Sequence, residues 1–289
     1  MKPIYILLFY CITIDISLNA QSDDSYKKGL ILDSLRNVYT HSIESRPAFE
    51  KHWQQQANAT GDKELLAFVK IISFYGHADK SPTEVDAFFD KISTEYKEWP
   101  NLQAMGLLVC AQKYYDAYQH YEQEFVVFLE LEKLMERYGP RIIVGYAYYY
   151  SKIAAVYYKF KNYKKSIELQ KKGLPYTNKK WDFYNTIGVC FIELDNPDSA
   201  VYYLEKALDV AAVKKMPDIT RTITLGNIGY SYYLQKRFQQ AKPLIQIDLD
   251  GALSIGDKGL AAGAAIPLAD IYLNEKKWDS ANTLLTQAR

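Results

Sequence analysis

Between Tyr150 and the end of the chain, apolar positions recur in one spacing. Tyr150, Ile153-Ala154 and Tyr157 are followed by Tyr184, Ile187-Gly188 and Phe191, then Leu225, Ile228-Gly229 and Tyr232, then Ala265, Leu268-Ala269 and Tyr272. Twelve residues after each small residue stands another small one: Ser166, Ala200, Ala241 and Ala281. Three residues before those come Tyr163, Pro197, Phe238 and Trp278, and seven after them Gly173, Ala207, Asp248 and Ala288. Residues three and four apart share one face of a helix, so each set predicts two helices folded back on each other. The small residues let the pair approach closely and the aromatic fills the space between them. One hairpin cannot bury its own apolar face, so successive hairpins must stack.

Upstream the spacing blurs while the helical period persists. In 104–138, Leu107, Ala111 and Tyr114 mark a first helix, and Tyr121, Phe125 and Phe128 a second, slipped by one residue. In 63–96, Leu65-Leu66, Phe68-Val69 and Ile71-Ile72 form one stripe and Val85, Phe88-Phe89 and Ile92 another. Ser81-Pro82 opens that second helix with a capping side chain and a proline in the first turn. In 24–57, Leu30, Leu32, Leu35, Val38 and Tyr39 predict a long helix, and Ser45-Arg46-Pro47 opens the next. The count is about seven hairpins, the last incomplete at Arg289; no segment has the strand period, and no linker divides the chain.

The repeated spacing resembles the tetratricopeptide repeat, whose period is about 34 residues. The resemblance covers 147–180, 181–221, 222–261 and the incomplete 262–289, with 104–146 as a weaker unit and 21–103 as divergent N-terminal hairpins. It implies an all-α, right-handed α-solenoid of antiparallel helix hairpins. Two departures stand out. The units starting at 181 and 222 are longer than the family period, with extra residues around Ala211–Arg221 and Leu253–Ala261 that lengthen the second helix and its connection. Asp248 stands where a small residue is expected, and the family's closing proline is missing from every unit.

The resemblance also implies a ligand face, lined by the first helix of each hairpin. Its groove positions fall on Tyr148, Ser151, Ala155, Tyr158 and Lys159, then Asp182, Asn185, Val189, Ile192 and Glu193, then Ile223, Gly226, Tyr230, Tyr233 and Leu234, with Gln112 and Tyr115 from the weaker unit. From these the binding candidates are Tyr115, Tyr148, Tyr158, Lys159, Asn185, Glu193, Tyr230 and Tyr233. An aromatic groove with scattered polar groups suits an extended protein segment or peptide. Exposed aromatics also stack on sugars, so the alternative is a carbohydrate-binding helical-repeat protein at the cell surface. Ser151 and Ala155 do not match the Lys and Asn with which some family members clamp a chaperone's terminal carboxylate, and that function is not carried over.

Composition narrows the function further. Lys plus Arg is 35 against 34 for Asp plus Glu, which gives no field to steer nucleic acid. Met1-Lys2, the apolar Ile4–Leu18 and Asn19-Ala20 read as a secretory signal over 1–20, with an exported, periplasm-facing chain starting near Gln21. Removal of that segment leaves Cys110 and Cys190, each inside an apolar helix and expected as a core thiol. His41, His52, His77 and His120 are dispersed without ligand spacing, and no glycine loop carries the lysine that holds a phosphate. A catalytic pair of Cys110 and His120 is disfavoured because the cysteine falls on the inner helix face. The sequence therefore predicts no catalysis, no metal and no cofactor. Eight lysines crowd 159–180 beside one acid, Glu168, and read as a solvated basic face.

The exported signal, the tyrosine-rich repeats and the unfinished last hairpin resemble the sensor part of bacterial tetratricopeptide histidine kinases and helix-turn-helix regulators. That likeness implies a longer chain whose membrane and signalling segments would follow Arg289, and contact with a membrane only through them.

Overall fold

The computed structural model describes residues 24–41, 43–76, 80–114, 118–213 and 218–287. The expected signal segment 1–20 and the groove candidate Tyr115 lie outside them. Fourteen α-helices and two single 3-10 turns make up the regular structure of the described residues, with no strand. The chain divides into two compact units that meet at Tyr149 and Tyr150.

The first unit holds α1 (Asp24–His41), α2 (Arg46–Thr60), α3 (Lys63–Gly76), α4 (Pro82–Glu95), α5 (Pro100–Lys113) and α6 (Tyr121–Tyr138). Helix α5 is apolar all round, and every residue from Leu102 to Ala111 except Gln103 is buried. Such a helix belongs inside a protein, and α3, α4 and α6 pack around it. Phe68, Ile71, Val85, Ile92, Leu102, Leu131 and Met135 are fully buried. Each contributes about 1.5–3 kcal/mol by leaving water. Phe74 stacks on Phe88 at 3.9 Å between ring centres, joining α3 to α4. Ser81 caps α4 as the sequence predicts: its hydroxyl accepts from the Glu84 N–H, and the Glu84 carboxylate accepts from the Ser81 N–H. The buried Asn101 side chain ties three segments together. Its amide donates to the carbonyls of Ser25 and Ile142, and its oxygen accepts from the Val144 N–H.

Helix α7 (Tyr146–Lys159) crosses the unit boundary. The second unit continues with α8 (Tyr163–Gly173), α9 (Lys180–Glu193), α10 (Pro197–Val213), α11 (Asp218–Leu234), α12 (Phe238–Ser254), α13 (Lys258–Asn274) and α14 (Trp278–Gln287). From α8 onward each helix packs on the next, and α11 also touches both α9 and α13, so the first helices of successive hairpins form a layer. The extra residues of the longer units lengthen the second helix, as the sequence indicates. They also start the following helix early, so α11 and α13 each have 17 residues against 14 for α9.

The hairpin turns of the second unit repeat one backbone geometry. Lys161, Asp195, Lys236 and Lys276 each take a left-handed backbone, with φ between 53° and 58°. After each, the next N–H bonds the carbonyl five residues back: Asn162 to Tyr157, Asn196 to Phe191, Arg237 to Tyr232 and Lys277 to Tyr272. This closes the last turn of one helix before the next begins. The inter-helix aromatic of the sequence pattern is thus also the residue whose carbonyl anchors the turn. Gly188 and Gly229, the small members of the large–small pairs, face α10 and α12 respectively. A Cβ on Gly188 would lie 2.6 Å from Leu204, and one on Gly229 would lie 2.9 Å from both Leu244 and Ile245.

Candidate functional site

The layer of first helices in the second unit is joined across repeats by side chains. Tyr158 at the end of α7 donates to Glu193 Oε1 of α9 at 3.4 Å, and Tyr163 donates to Glu193 Oε2 at 3.1 Å. Asn227 of α11 donates to Asn185 of α9 at 3.3 Å, and the Trp181 indole N–H donates to Thr224 at 2.9 Å. Tyr233 of α11 donates to Asp270 Oδ2 of α13 at 2.9 Å. Partners 30 to 43 residues apart in sequence are therefore neighbours, which a stack of hairpins of about that length dictates.

Of the predicted binding residues, Tyr158 and Glu193 come into direct contact, and Asn185 sits in the link to α11. Tyr230 and Tyr233 stack at 5.8 Å between ring centres and 26° between planes. Tyr230 remains 37% exposed. Lys159 lies exposed at the last residue of α7. Tyr148 belongs to the first unit, where the Arg36 guanidinium lies 5.8 Å from its ring centre.

The residues missed by the sequence reading are Asp270, Ile266 and Leu273 on α13. The same repeat positions, extended to the last unit, would have found them. Ile266 is 64% exposed and Leu273 38%. Tyr230, Ile266 and Leu273 thus leave apolar surface in water on neighbouring first helices, next to the carboxylate that Tyr233 holds.

Burial, reinforced by the Glu193 charge, pushes the Tyr158 hydroxyl up to about 12. Burial followed by the bond to Asp270 does the same for Tyr233. Both phenols are neutral donors at ordinary pH, and the carboxylates they bond keep lone pairs for a ligand's N–H groups. Asp248 of α12 behaves differently. Its carboxyl occupies the place where a side chain on Gly226 would begin. Gly226, assigned by the repeat register to the groove, is instead buried beneath that carboxyl. Burial alone raises Asp248 to about 6.

The thiols sit in the core. Cys110 is fully buried with its pKa pushed up by burial, and Cys190 lies within 3.5 Å of the Ser166 hydroxyl. A thiol held protonated is a poor nucleophile. Part of the basic run is absorbed locally, since Lys165 and Lys172 each lie 3.1 Å from Glu168, and Lys171 lies 5.4 Å from the Tyr203 ring centre. Among the described residues no group of three His, Cys, Asp or Glu side chains is arranged to hold a metal, and no helix is long and apolar enough to cross a membrane.

No family model and no curated protein matches the chain. Solved structures do. The apo form of RapI superposes with a TM-score of 0.65 at 13% identity, over 90% of this chain and 76% of that one. A Rap protein complexed with competence and sporulation factor gives 0.58 at 16% identity, over 89% and 76%. A kinesin light chain from Podospora anserina with nearly identical TPR-like repeats gives 0.51 at 14% identity, over 66% and 94%. At such identities the likeness is one of fold, and with the repeated turn and hairpin geometry it gives this chain a tetratricopeptide-like, all-α repeat fold.

Proposed function

We propose that the chain is a non-catalytic scaffold that binds a protein segment or peptide along the first-helix layer of its second unit. The observation that carries this reading is the exposed apolar surface of Tyr230, Ile266 and Leu273 beside the Asp270 carboxylate, which a tyrosine hydroxyl fixes as others fix Glu193 in the same helix layer. A rigid aromatic loses little entropy on binding, and a pre-oriented carboxylate accepts backbone or cationic N–H groups of an extended ligand. The Rap structure in complex with a named factor is in keeping with such use of the fold, although it speaks for that protein only.

The test is selection of a displayed random-peptide library against the purified chain, followed by anisotropy titration of the enriched peptides. Tyr230→Ala with Tyr233→Ala is expected to weaken binding at least tenfold, about 1.4 kcal/mol or more, with helical content unchanged. Failure to enrich any sequence, or equal affinity in the variant, would count against the groove.

We further propose that the chain is exported and serves as the extracytoplasmic sensor portion of a longer signalling protein, with ligand capture altering the packing of successive hairpins. The support is the basic start and apolar stretch of 1–20 together with the tyrosine-rich repeats. Protein recovered from the periplasm should begin near Gln21, and material starting at Met1 would overturn export with cleavage.

A further inference from the structure

The first unit holds a cavity whose chemistry differs from that of the first-helix layer. A cavity of about 300 Å³ opens between the ends of α4 and α6 over the N-terminal half of α5. Ile92 of α4, Leu107 of α5 and Leu134 of α6 give it a buried apolar floor. Three cations line it, Lys97, Lys133 and Arg137, against one carboxylate, Glu130. Glu130 is already taken, since Lys133 lies 2.7 Å from it. Lys97, in the turn after α4, and Arg137, in the last turn of α6, make no hydrogen bond or ion pair among the described residues. The Tyr138 hydroxyl is likewise without a partner there. A cavity with an apolar floor and a polar rim that carries two uncompensated cations is matched by a molecule with one negative group on an apolar body.

We propose that this cavity binds a small organic carboxylate. The Arg137 guanidinium offers paired donors that fit a carboxylate, and Lys97 adds a second positive charge. Ile92, Leu107 and Leu134 would cover the apolar body. The volume is at the lower end for small-molecule sites, so the ligand is the size of a bicyclic aromatic acid rather than a nucleotide. A bare inorganic anion would leave the floor unused.

The probe is 2-naphthoate, titrated calorimetrically into the intact chain, beside neutral 2-naphthalenemethanol and inorganic phosphate. Naphthoate is expected to bind at least tenfold more tightly than either comparison compound. Lys97→Ala combined with Arg137→Ala should weaken it a further tenfold or more. Both side chains are exposed, so the thermal unfolding of the double variant should match the parent. The Tyr230→Ala and Tyr233→Ala variant should bind naphthoate normally, which separates this site from the proposed peptide groove. The proposal is overturned if naphthoate does not bind at millimolar concentration, if the double variant binds it unchanged, if phosphate binds as well, or if the groove variant abolishes binding.

Discussion

Gly229→Leu is expected to lower the stability of the second unit by about 2–3 kcal/mol, seen as a drop in the urea midpoint followed by circular dichroism. Two effects oppose each other. Any side chain at a helix-interior glycine gains up to about 1 kcal/mol of helix propensity. Against this, the first atom added at Gly229 lies 2.9 Å from Ile245 Cγ1 and Leu244 Cβ and 3.0 Å from the Ile245 backbone nitrogen. The backbone of α12 cannot rotate away as the tip of a side chain could, so the helices must separate. Their separation would uncover Ile228 and Ile245, both buried. Overpacking typically costs about 1–3 kcal/mol, and leucine at this position is at the severe end. Gly263 is the internal control. It lies in α13 with nothing within 4 Å of its missing Cβ. Gly263→Ala is expected to raise stability by about 0.5–1 kcal/mol. A Gly229→Leu midpoint equal to that of the parent would show that the hairpin does not depend on close approach there.

The Asp248→Asn variant is expected to be more stable than the parent at neutral pH, with an advantage that fades on acidification. Burial lifts the Asp248 carboxyl from 3.8 to about 6. The folded state therefore holds this proton more tightly than the unfolded state does. Below about pH 4 both states are protonated and the site costs nothing. The penalty grows as pH rises through the interval between the two values and is constant above about pH 6. Two pH units correspond to about 3 kcal/mol, and screening by the solvent that still reaches the group reduces this to about 1–2 kcal/mol. Asparagine keeps the shape that covers Gly226 and removes only the charge. Other carboxylates are held below their ordinary values against the opposing effect of burial, Asp62 by the Leu65 N–H and then Lys28, Glu168 by Lys172 and Lys165, and lose their contribution in acid. They do so in both proteins, so the difference between variant and parent isolates Asp248. A difference in unfolding free energy that stays constant from about pH 4 to 7.5 would mean that the carboxyl is not desolvated.

Asp248 also shows how far the sequence could be followed. As a string, it is a charged residue at a position the repeat reserves for a small one, and Gly226 is a groove position without a side chain. Each looks like a defect. Folded, the two occupy one place: the carboxyl of one fills the space that the other leaves empty. Pairing of this kind depends on the relative rotation of two helices, which periodicity does not specify. The tyrosines divide in the same way. Tyr157, Tyr232 and Tyr272 were legible as spacers between helices, because a fixed spacing has a geometric reason. Tyr158 and Tyr233 fall at groove positions of the repeat register, but the register does not link them to their carboxylate partners, since Glu193 and Asp270 lie 35 and 37 residues further on. The cavity beneath Lys97 and Arg137 left no trace at all. It lies where the repeat spacing blurs, and three helix ends with no sequence relation create it.

The sequence by itself determined the helices, their pairing into hairpins and the repeated small-residue and aromatic spacers within each pair. These are set by local propensity and by a period of three and four residues, both written along one strand of chain. The turns follow the same register, since the left-handed residues Lys161, Asp195, Lys236 and Lys276 hold one place in their hairpins, a place that only the structure revealed. The tertiary structure alone decided which side chains meet across hairpins, which carboxylates are held by hydroxyls and which is left desolvated, and where cations gather without a counter-charge. Those outcomes depend on ångström differences in how helices rotate and slide against one another, and burial and electrostatics respond to such differences steeply.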